Sequence, residues 1–382
     1  MKKKSIIWLV ILLAIIVSFW ALQKKCSAKG DDTIKIGVIM PQTGFLASPG
    51  HNVINGINLF VDNYNAHNQN KKIELIIEDS GSDPKVGVSA INKLINADHV
   101  KIIIGDIGSP IYLAMAPIAE RNKVVMISPG ASNPKVREAG DYIFRIYTSD
   151  EFDGKVMANY LCGRKNVRRV ALLHFNNDYG IGLSNAFKNE FAKLNGSLAL
   201  DYSFDENSLD FKESIIRLKN AKVDDVYFIG SPKQDAAFLR QIKESNTVIN
   251  VYGVLSFEDS EFLQIAKNTF DHVEYTTPFF DLNSEDVKMQ EFKKNYSEKY
   301  SSVPDLNSAL GYDVVNVLAI ALHNCDYKVE YLKDEIYNIK DFDGLTGKTS
   351  FDEKGDVMKD VMIKEVMGDG SQRLIEVFQL NN

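Results

Sequence analysis

Strand-like apolar runs alternate with amphipathic, helix-length segments from Thr33 onward, and this alternation restricts the fold more than any other feature. Such alternation is typical of parallel sheets covered by helices. Strands are predicted at residues 33–40, 72–77, 101–104, 124–127 and 142–147, and then near 169–174, 197–202, 225–229 and 249–253. A chain of 382 residues is long enough for two cores. The sequence therefore predicts two α/β units, with a cleft between the carboxyl ends of their strands.

The first two predicted helices show local signals of their own. Val53, Ile57 and Phe60 recur at helical spacing after the first strand, which predicts one apolar face. Asp83 followed by Pro84 predicts the capped start of a helix after the second strand.

Two turns that carry serine follow the third and fourth predicted strands. Their sequences are Gly105-Asp106-Ile107-Gly108-Ser109-Pro110 and Ser128-Pro129-Gly130-Ala131-Ser132-Asn133-Pro134. If the two strands are parallel neighbours, both turns open at the same edge of the sheet, where α/β proteins bind ligands. Ser109 before Pro110 predicts a helix N-cap, whose hydroxyl and neighbouring N–H groups suit a small carboxylate. An ordinary helix cap without a ligand is the alternative.

The second unit offers an aromatic side chain at a corresponding turn. Its first strand ends in His174-Phe175-Asn176-Asn177-Asp178-Tyr179-Gly180-Ile181-Gly182. Tyr179 at a strand-to-helix turn can pack on a ligand and offer a hydroxyl, or it can merely cover the turn. The two glycines do not complete a dinucleotide-binding loop.

The first 28 residues differ from the rest of the chain. Three lysines, an apolar stretch at residues 5–22 and a Cys26-Ser27-Ala28 ending are typical of a secretory signal. Residues 1–28 are therefore predicted to be a cleaved signal peptide or an uncleaved membrane anchor, and either form implies export. A lipid anchor at Cys26 is disfavoured because the preceding residues are not small and apolar.

The net charge disfavours binding to nucleic acid or anionic membrane, and the spacing of cysteine and histidine residues disfavours a metal site. Residues 1–28 hold five lysines and no acid, so the remaining chain has 39 basic and 51 acidic residues, a net charge of −12. Such a field disfavours nucleic acid and anionic membrane as partners. Cys162 and Cys325 are predicted to be buried free thiols, with a disulfide between them in an oxidising compartment as the alternative. The six histidines are too scattered for a metal site.

The motifs, taken in order, resemble a known family. The residues that carry the resemblance are Ile36-Gly37-Val38-Ile39, Thr43-Gly44, the turn from Ser128 to Pro134, Phe144-Arg145, Asp178-Tyr179-Gly180, Gly311-Tyr312-Asp313 and the stretch from Phe351 to Asp356. In this order and spacing the chain resembles the leucine/isoleucine/valine-binding proteins, which are type I periplasmic solute-binding proteins of ABC importers. The resemblance spans nearly all of residues 33–382.

The resemblance implies an α/β fold of two Rossmann-like lobes joined by a hinge of three crossovers, near residues 147–150, 277–280 and 356–359. The first lobe would comprise residues 33–148 plus 279–357, and the second lobe residues 149–278 plus 358–382. The implied function is capture of a small amino acid or related carboxylate or amide by lobe closure. An ABC permease is the implied partner, and the implied location is the periplasm or the outer face of the cytoplasmic membrane.

The resemblance also implies roles for particular residues. The carboxylate of the ligand would be held by Ser109 and Ser132, in the turn that includes Ala131, and the Gly130 carbonyl would receive an ammonium group. Tyr179 falls on a contact position of the second lobe. Asp150 lies at the first crossover, where a hinge or capping role competes with ligand contact.

At three contact positions the chain departs from the family. The acid that partners the ammonium falls on Leu255, and two aromatic contacts fall on Ser231 and Pro49. An ammonium buried without a charge partner is costly, so either Glu258 or Asp259 replaces that acid or the ligand lacks an α-ammonium. Keto, aromatic or aliphatic acids would satisfy the second alternative.

An enzyme and a membrane-anchored sensor are the two alternatives to a role in uptake. Ser109 as a nucleophile with His174 as base is disfavoured, because Ser109 is outside a Gly-x-Ser-x-Gly elbow and a hinged cleft keeps no fixed distance between the two. The chain is therefore predicted to be no enzyme and to need no cofactor or metal. A membrane-anchored ligand sensor with the same fold, attached only through residues 5–22, is the alternative to an importer subunit.

Overall fold

The structure contains two separate sheets, and the first one comes from the amino-terminal part of the chain. The computed structural model describes residues 33–68 and 71–379. Five strands form the first sheet: β1 (Thr33–Met40), β2 (Lys72–Asp79), β3 (Ile102–Gly105), β4 (Val125–Ser128) and β5 (Ile143–Arg145). They pair in parallel in the order β2-β1-β3-β4-β5. The prediction that the two strands before the serine turns are parallel neighbours is confirmed.

The second sheet has seven strands. Five of them are parallel: β6 (Arg169–Phe175), β7 (Ser197–Phe204), β8 (Asp225–Ile229), β9 (Asn250–Gly253) and β10 (His272–Pro278). A separate hairpin of β11 (Phe342–Gly344) and β12 (Gly347–Thr349) precedes the antiparallel strands β13 (Val361–Met367) and β14 (Gln372–Phe378). The order across the sheet is β14-β13-β10-β9-β8-β6-β7.

Helices connect the strands and cover the sheets. They are α1 (Ala47–His67), α2 (Pro84–Asn96), α3 (Ser109–Arg121), α4 (Asp150–Asn159), α5 (Asp178–Lys193), α6 (Lys212–Ala221), α7 (Pro232–Glu244), α8 (Ser260–Ala266), α9 (Val287–Tyr300), α10 (Leu306–Asn324) and α11 (Leu332–Tyr337). The predicted cap of α2 is confirmed, since the Asp83 carboxylate accepts a hydrogen bond of 2.7 Å from the Lys85 amide.

Each sheet has its own core on each face. One face of the first sheet packs residues such as Val38 and Ile104 against Ile57 of α1 and Leu318 of α10. The other face packs Ile103 against α2 and α3. The second sheet is covered in the same way, by α6, α7 and α8 on one face and by α4 and α5 on the other. The predicted α/β fold is therefore confirmed.

We call the first sheet with α1 to α3, α9 to α11 and the β11–β12 hairpin the first lobe, and the second sheet with α4 to α8 the second lobe. The chain passes between the lobes three times: from β5 to α4, from β10 to α9, and through residues 358–360 into β13. Within the residues that the structure describes, no helix combines the length and apolarity needed to cross a bilayer. The predicted signal or anchor, residues 1–28, lies outside the described residues.

The two cysteines predicted to be free thiols lie in α-helical surroundings. Cys162 follows α4, and Cys325 follows α10. Both are buried, and neither forms a disulfide.

Candidate functional site

A cavity of about 140 Å³ lies between the lobes, and its walls come from loops at the carboxyl ends of strands in both sheets. The first lobe supplies Phe45 after β1, Ser82 after β2, Ile107 after β3 and Gly130 after β4. The second lobe supplies residues after β6, β7, β8 and β9, namely Asn177, Glu206, Ser231 and Leu255. Parallel strands that end at one cleft thus create the kind of ligand site expected for open α/β sheets.

Most of the residues predicted to bind ligand line this cavity. They are Pro49, Ser109, Gly130, Ser132, Tyr179, Ser231 and Leu255. Three others do not: Ala131 is buried in the core of the first lobe, Asp150 lies outside the lining, and Glu258 is bonded elsewhere. That the lining residues contact a ligand stays a prediction.

The prediction that Ser109 caps its helix is wrong. Helix α3 begins at Ser109, the capping position belongs to Gly108, and no side chain caps the helix. Instead, the Ser109 Oγ accepts hydrogen bonds of 3.2 Å from the amides of Ser132 and Asn133. Ser109 therefore joins the two serine turns, and its hydroxyl proton remains available for donation into the cavity.

Ser128, which the sequence analysis did not single out as a site residue, organises the second turn. Its Oγ accepts hydrogen bonds from the amides of Gly130 (3.1 Å) and Ala131 (2.7 Å) and donates to the Asp106 carbonyl (2.8 Å). The amides of this turn therefore already donate hydrogen bonds to serine side chains of the protein, to Ser128 or to Ser109. The turn offers the cavity hydroxyl groups and the Gly130 carbonyl rather than a nest of free N–H groups.

In the second lobe, helix capping and ion pairing occupy two of the predicted residues. The Ser231 hydroxyl donates to the Gln234 side chain (2.9 Å) at the start of α7, so its proton is not available to a ligand in this arrangement. Glu258 accepts from Lys364 (3.0 Å) and Tyr275 (3.1 Å), away from the cavity. His174 is also outside the lining.

Asp150 is fully buried at the start of α4, close to the cavity wall. Neither of its carboxylate oxygens has a hydrogen-bond partner within the described residues. Burial raises the pKa of Asp150 to about 7, although the nearby Ser132 hydroxyl and Arg145 guanidinium oppose the rise. Tyr147 and Tyr179, which both line the cavity, are its electrostatic neighbours.

Asp259 lines the cavity from the second lobe, just before α8. One carboxylate oxygen accepts hydrogen bonds from the Glu261 amide (2.7 Å) and from the Ser48 hydroxyl of the first lobe (2.8 Å). The other oxygen is buried and has no partner among the described residues. Burial raises the pKa of Asp259 to about 6, and its hydrogen bonds oppose the rise.

The lobes are in contact across the cleft. Phe45 of the first lobe lies 5.9 Å from Phe175 of the second, between ring centroids, and packs against the second lobe's core. Leu255 of the second lobe packs in return against the first lobe's core. At the edge of the cleft, Lys135 forms a surface ion pair of 2.8 Å with Asp178.

Sequence reasoning missed several lining residues, among them Phe45, Leu46, Tyr147, Phe175 and Ser256. Phe45 and Leu46 follow the first predicted strand, so their position at the carboxyl end of β1 was a usable signal. Tyr147 was noted only as part of a crossover. Ser256 and Phe175 had no local signal, because their exposure to the cavity depends on how the lobes meet.

Comparison with known proteins supports the same fold and class. The sequence model of the family described as periplasmic binding protein matches residues 33–371. The leucine-, isoleucine-, valine-, threonine- and alanine-binding protein of Pseudomonas aeruginosa is 27% identical over 329 residues, which cover 85% of this chain and 87% of that protein.

Two solved structures are also similar. The leucine-binding protein LivK of Thermotoga maritima has a TM-score of 0.86 and 28% identity, covering 91% of this chain and 99% of that one. The branched-chain amino acid transporter substrate-binding protein LivJ of Streptococcus pneumoniae, solved with isoleucine, has a TM-score of 0.83 and 26% identity, with coverage of 90% and 99%. These relatives are binding proteins, which agrees with the prediction that the chain is not an enzyme.

Proposed function

Because the chain belongs to the periplasmic binding protein family, we propose that it is an exported subunit of an ABC importer that captures a small amino acid or related carboxylate. The ligand is bound between the lobes and delivered to a membrane permease. The observation that carries this proposal is the cavity between the lobes, in which the turns containing Ser109 and Ser132 meet an apolar wall.

The first lobe has the groups that a carboxylate requires. Ser109 and Ser132 are almost fully buried, at 1% and 3% exposure, so a hydrogen bond from either hydroxyl would form away from bulk water. The amides of the first turn of α3 have no partner within the helix and carry its positive dipole end. A carboxylate between the two serine turns would therefore receive charge-assisted hydrogen bonds.

The remaining wall is suited to an apolar substituent. Its apolar lining residues are Phe45, Leu46, Pro49, Ile107, Phe175, Val254 and Leu255. Burial of a branched aliphatic group there gains about 1.5–3 kcal/mol. This chemistry supports a ligand of the kind named for the relatives, such as leucine, isoleucine or valine.

Closure of the lobes would allow the permease to distinguish the ligand-bound protein from the free protein. The contacts between Phe45 and Phe175 and between Ser48 and Asp259 exist only when the lobes meet. A ligand that touches both walls stabilises this closed form and so shifts the population toward it. The permease would then recognise the outer surfaces of the closed lobes.

A thermal-shift screen of the purified protein tests the binding proposal. Branched-chain amino acids, other amino acids, keto acids, aromatic acids and amides are each added, because a ligand that binds only the folded state raises the melting temperature. We expect a rise with small carboxylates and a loss of that rise in a Ser109→Ala/Ser132→Ala double variant. No shift with any carboxylate would contradict the proposal.

An uptake assay distinguishes the importer subunit from a sensor. A strain that lacks the chain should lose high-affinity uptake of the radiolabelled ligand found in the screen. The wild-type chain should restore uptake, and the double serine variant should not. Normal uptake in the deletion strain, together with an altered transcriptional response to the ligand, would favour the sensor.

A further inference from the structure

Asn133, in the second serine turn, forms a buried contact between the two lobes. Its side chain is only 2% exposed, and its Nδ2 group donates a hydrogen bond to the backbone carbonyl of Asp178, the first residue of α5 in the second lobe. Beside this bond, Lys135 and the Asp178 carboxylate form an ion pair of 2.8 Å that is open to solvent. Exposed ion pairs contribute little, so the buried Asn133 bond is the stronger part of the contact.

The first lobe holds Asn133 in one orientation. Its Oδ1 atom accepts a hydrogen bond of 2.8 Å from the Lys135 amide, and its backbone carbonyl accepts one of 3.0 Å from the Arg145 guanidinium. Its backbone amide donates to the Ser109 Oγ atom at 3.2 Å. Three polar groups of Asn133 are therefore bonded within the first lobe, and the fourth, Nδ2, reaches the second lobe. One of those bonds connects it directly to Ser109, whose hydroxyl is proposed to bind the ligand.

Gly182 of α5 leaves the space that Asn133 occupies. A Cβ atom at residue 182 would lie 2.5 Å from the Asn133 Nδ2 atom and 3.2 Å from the Pro134 Cδ atom. Residues four apart share one face of a helix, and helical side chains point back toward the amino terminus. Any side chain at residue 182 would therefore lie over the Asp178 carbonyl that Asn133 binds. The second glycine of Gly180-Ile181-Gly182 thus has a steric role in the contact between the lobes.

We propose that Asn133 is a positioning residue for lobe closure and that Gly182 is the position that admits it. The contact joins the serine turn of the first lobe to the helix whose first turn places Tyr179 in the cavity lining. A ligand that bonds to Ser109 stabilises the turn that presents Asn133, so ligand binding and the approach of α5 favour each other. The effect on affinity rests on the proposed function, whereas the contact between the lobes does not.

Isothermal titration calorimetry on the full chain tests the proposal. The compounds are L-leucine, L-isoleucine, L-valine, 3-methylbutanoate and benzoate, and the one that wild-type protein binds most tightly serves as the probe. Gly182→Ala should weaken binding of the probe at least about fivefold, because the added methyl group displaces the Asn133 amide from the Asp178 carbonyl. Asn133→Ser should have a similar effect, since serine can still cap the turn that follows but is too short to reach Asp178.

A double variant and two single variants locate the effect. In the Asn133→Ser background, Gly182→Ala should weaken binding by less than about a further twofold, because the amide that the methyl group would meet is absent. Gly163→Ala is the matched control: a Cβ atom there would meet no atom within 4 Å beyond the adjoining backbone, so affinity should stay within about twofold of wild type. Lys135→Met should weaken binding less than Asn133→Ser does. Melting temperatures of the free variants verify that each is folded.

Unchanged affinity in Gly182→Ala would overturn the inference. So would an equal loss from Gly182→Ala with and without Asn133→Ser, because the effect would then not pass through the Asn133 side chain. If none of the five compounds binds to wild-type protein, the proposed function is wrong, and small-angle scattering of the free proteins decides the inference separately. A larger radius of gyration in Gly182→Ala than in wild type and Gly163→Ala would then support the contact between the lobes, and an unchanged radius would refute it.

Discussion

The Arg145 guanidinium and the Asp356 carboxylate form a bidentate ion pair that is almost completely removed from water. Nε lies 2.5 Å from Oδ1 and Nη2 lies 2.7 Å from Oδ2, and Arg145 itself has no exposed surface. A third nitrogen, Nη1, donates to the Asn133 carbonyl at 3.0 Å. Arg145 thus joins the end of β5, the second serine turn and the segment that leads into the last crossover.

Asp356→Asn should strongly destabilise the protein. The substitution leaves the Arg145 charge buried without its partner, and removal of one member of a buried pair costs about 3–5 kcal/mol. Urea denaturation followed by circular dichroism measures this loss. Glu213→Gln makes the same chemical change at the exposed pair with Arg217 and should leave the denaturation midpoint nearly unchanged. Equal effects of the two substitutions would refute the structural role of the Arg145–Asp356 pair.

Ser109→Ala and Ser132→Ala should both weaken ligand binding, but they should differ in stability. Each lost charge-assisted hydrogen bond reduces affinity by about 1.5–3 kcal/mol. Ser109→Ala also deprives the amides of Ser132 and Asn133 of their acceptor. This loss should lower the free energy of unfolding by about 1–3 kcal/mol. Calorimetry and urea denaturation separate the two effects. Ser89→Ala, on the exposed face of α2, is the control for both.

Phe45→Ala should favour the open form of the free protein. The contact between Phe45 and Phe175 bridges the lobes, and an aromatic pair contributes about 0.5–1.5 kcal/mol beyond its buried area. Small-angle scattering should therefore show a larger radius of gyration without ligand and a return to the compact value at saturation. Tyr331→Ala removes an aromatic ring that is 54% exposed and should not change the scattering. An unchanged radius in Phe45→Ala would argue against a role in closure.

The stability of the ligand-free protein should fall as the pH rises from about 4.5 to 7.5. Burial raises the pKa of Asp259 to about 6 and that of Asp150 to about 7, so the folded chain retains protons that the unfolded chain, with aspartate pKa values near 3.9, has lost. Lys359, whose pKa burial lowers to about 8, titrates above this window. Asp259→Asn should flatten the decline measured by urea denaturation; an unaltered slope would contradict the assignment.

The groups around Asp259 do not reverse this sign. Asp235, Asp305 and Glu261 are its charged neighbours, and all three are acids that oppose its ionisation.

Leu255→Glu should improve affinity for α-amino acids relative to matching acids that lack the amine. Leu255 lines the same wall, one short turn before Asp259, so a carboxylate there can reach a ligand nitrogen from a neighbouring position. Leu255→Gln has a similar size without the charge and should leave the ratio of the two affinities as in the wild-type protein. Calorimetry with leucine and 4-methylpentanoate reports the ratio. If the two variants behave alike, the position of Leu255 does not favour contact with the ligand nitrogen.

Much of the fold was predictable from local pattern. Strands β1 and β8 have the predicted bounds, and the predicted strands β2 to β7 and β9 differ by one or two residues at their ends. Strand β10, the β11–β12 hairpin and the antiparallel strands β13 and β14 were not predicted. Of these, β14 lies at the edge of the second sheet, where exposed side chains weaken the apolar signal. Helix propensity and apolar spacing are local properties, whereas the choice of edge strands depends on tertiary contacts.

The site was predictable where residues follow strands, and unpredictable where two lobes meet. Ser109 and Ser132 occupy the expected edge, but the bond that joins Ser109 to the second turn replaced its expected capping role. Asp259 was distinguishable from Glu258 only in three dimensions, since one lines the cavity and the other pairs with Lys364. A difference of one residue changes the direction of a side chain, and sequence spacing alone does not report that direction.

Because the chain crosses between the lobes three times, lobe closure is an intramolecular association rather than the binding of two separate molecules. Each lobe experiences the other at a high effective concentration, so closing does not pay the large entropic cost of bringing two free bodies together. Few contacts across the cleft are therefore sufficient to keep open and closed forms close in free energy. A balance of this kind lets a ligand of a few heavy atoms decide which form predominates.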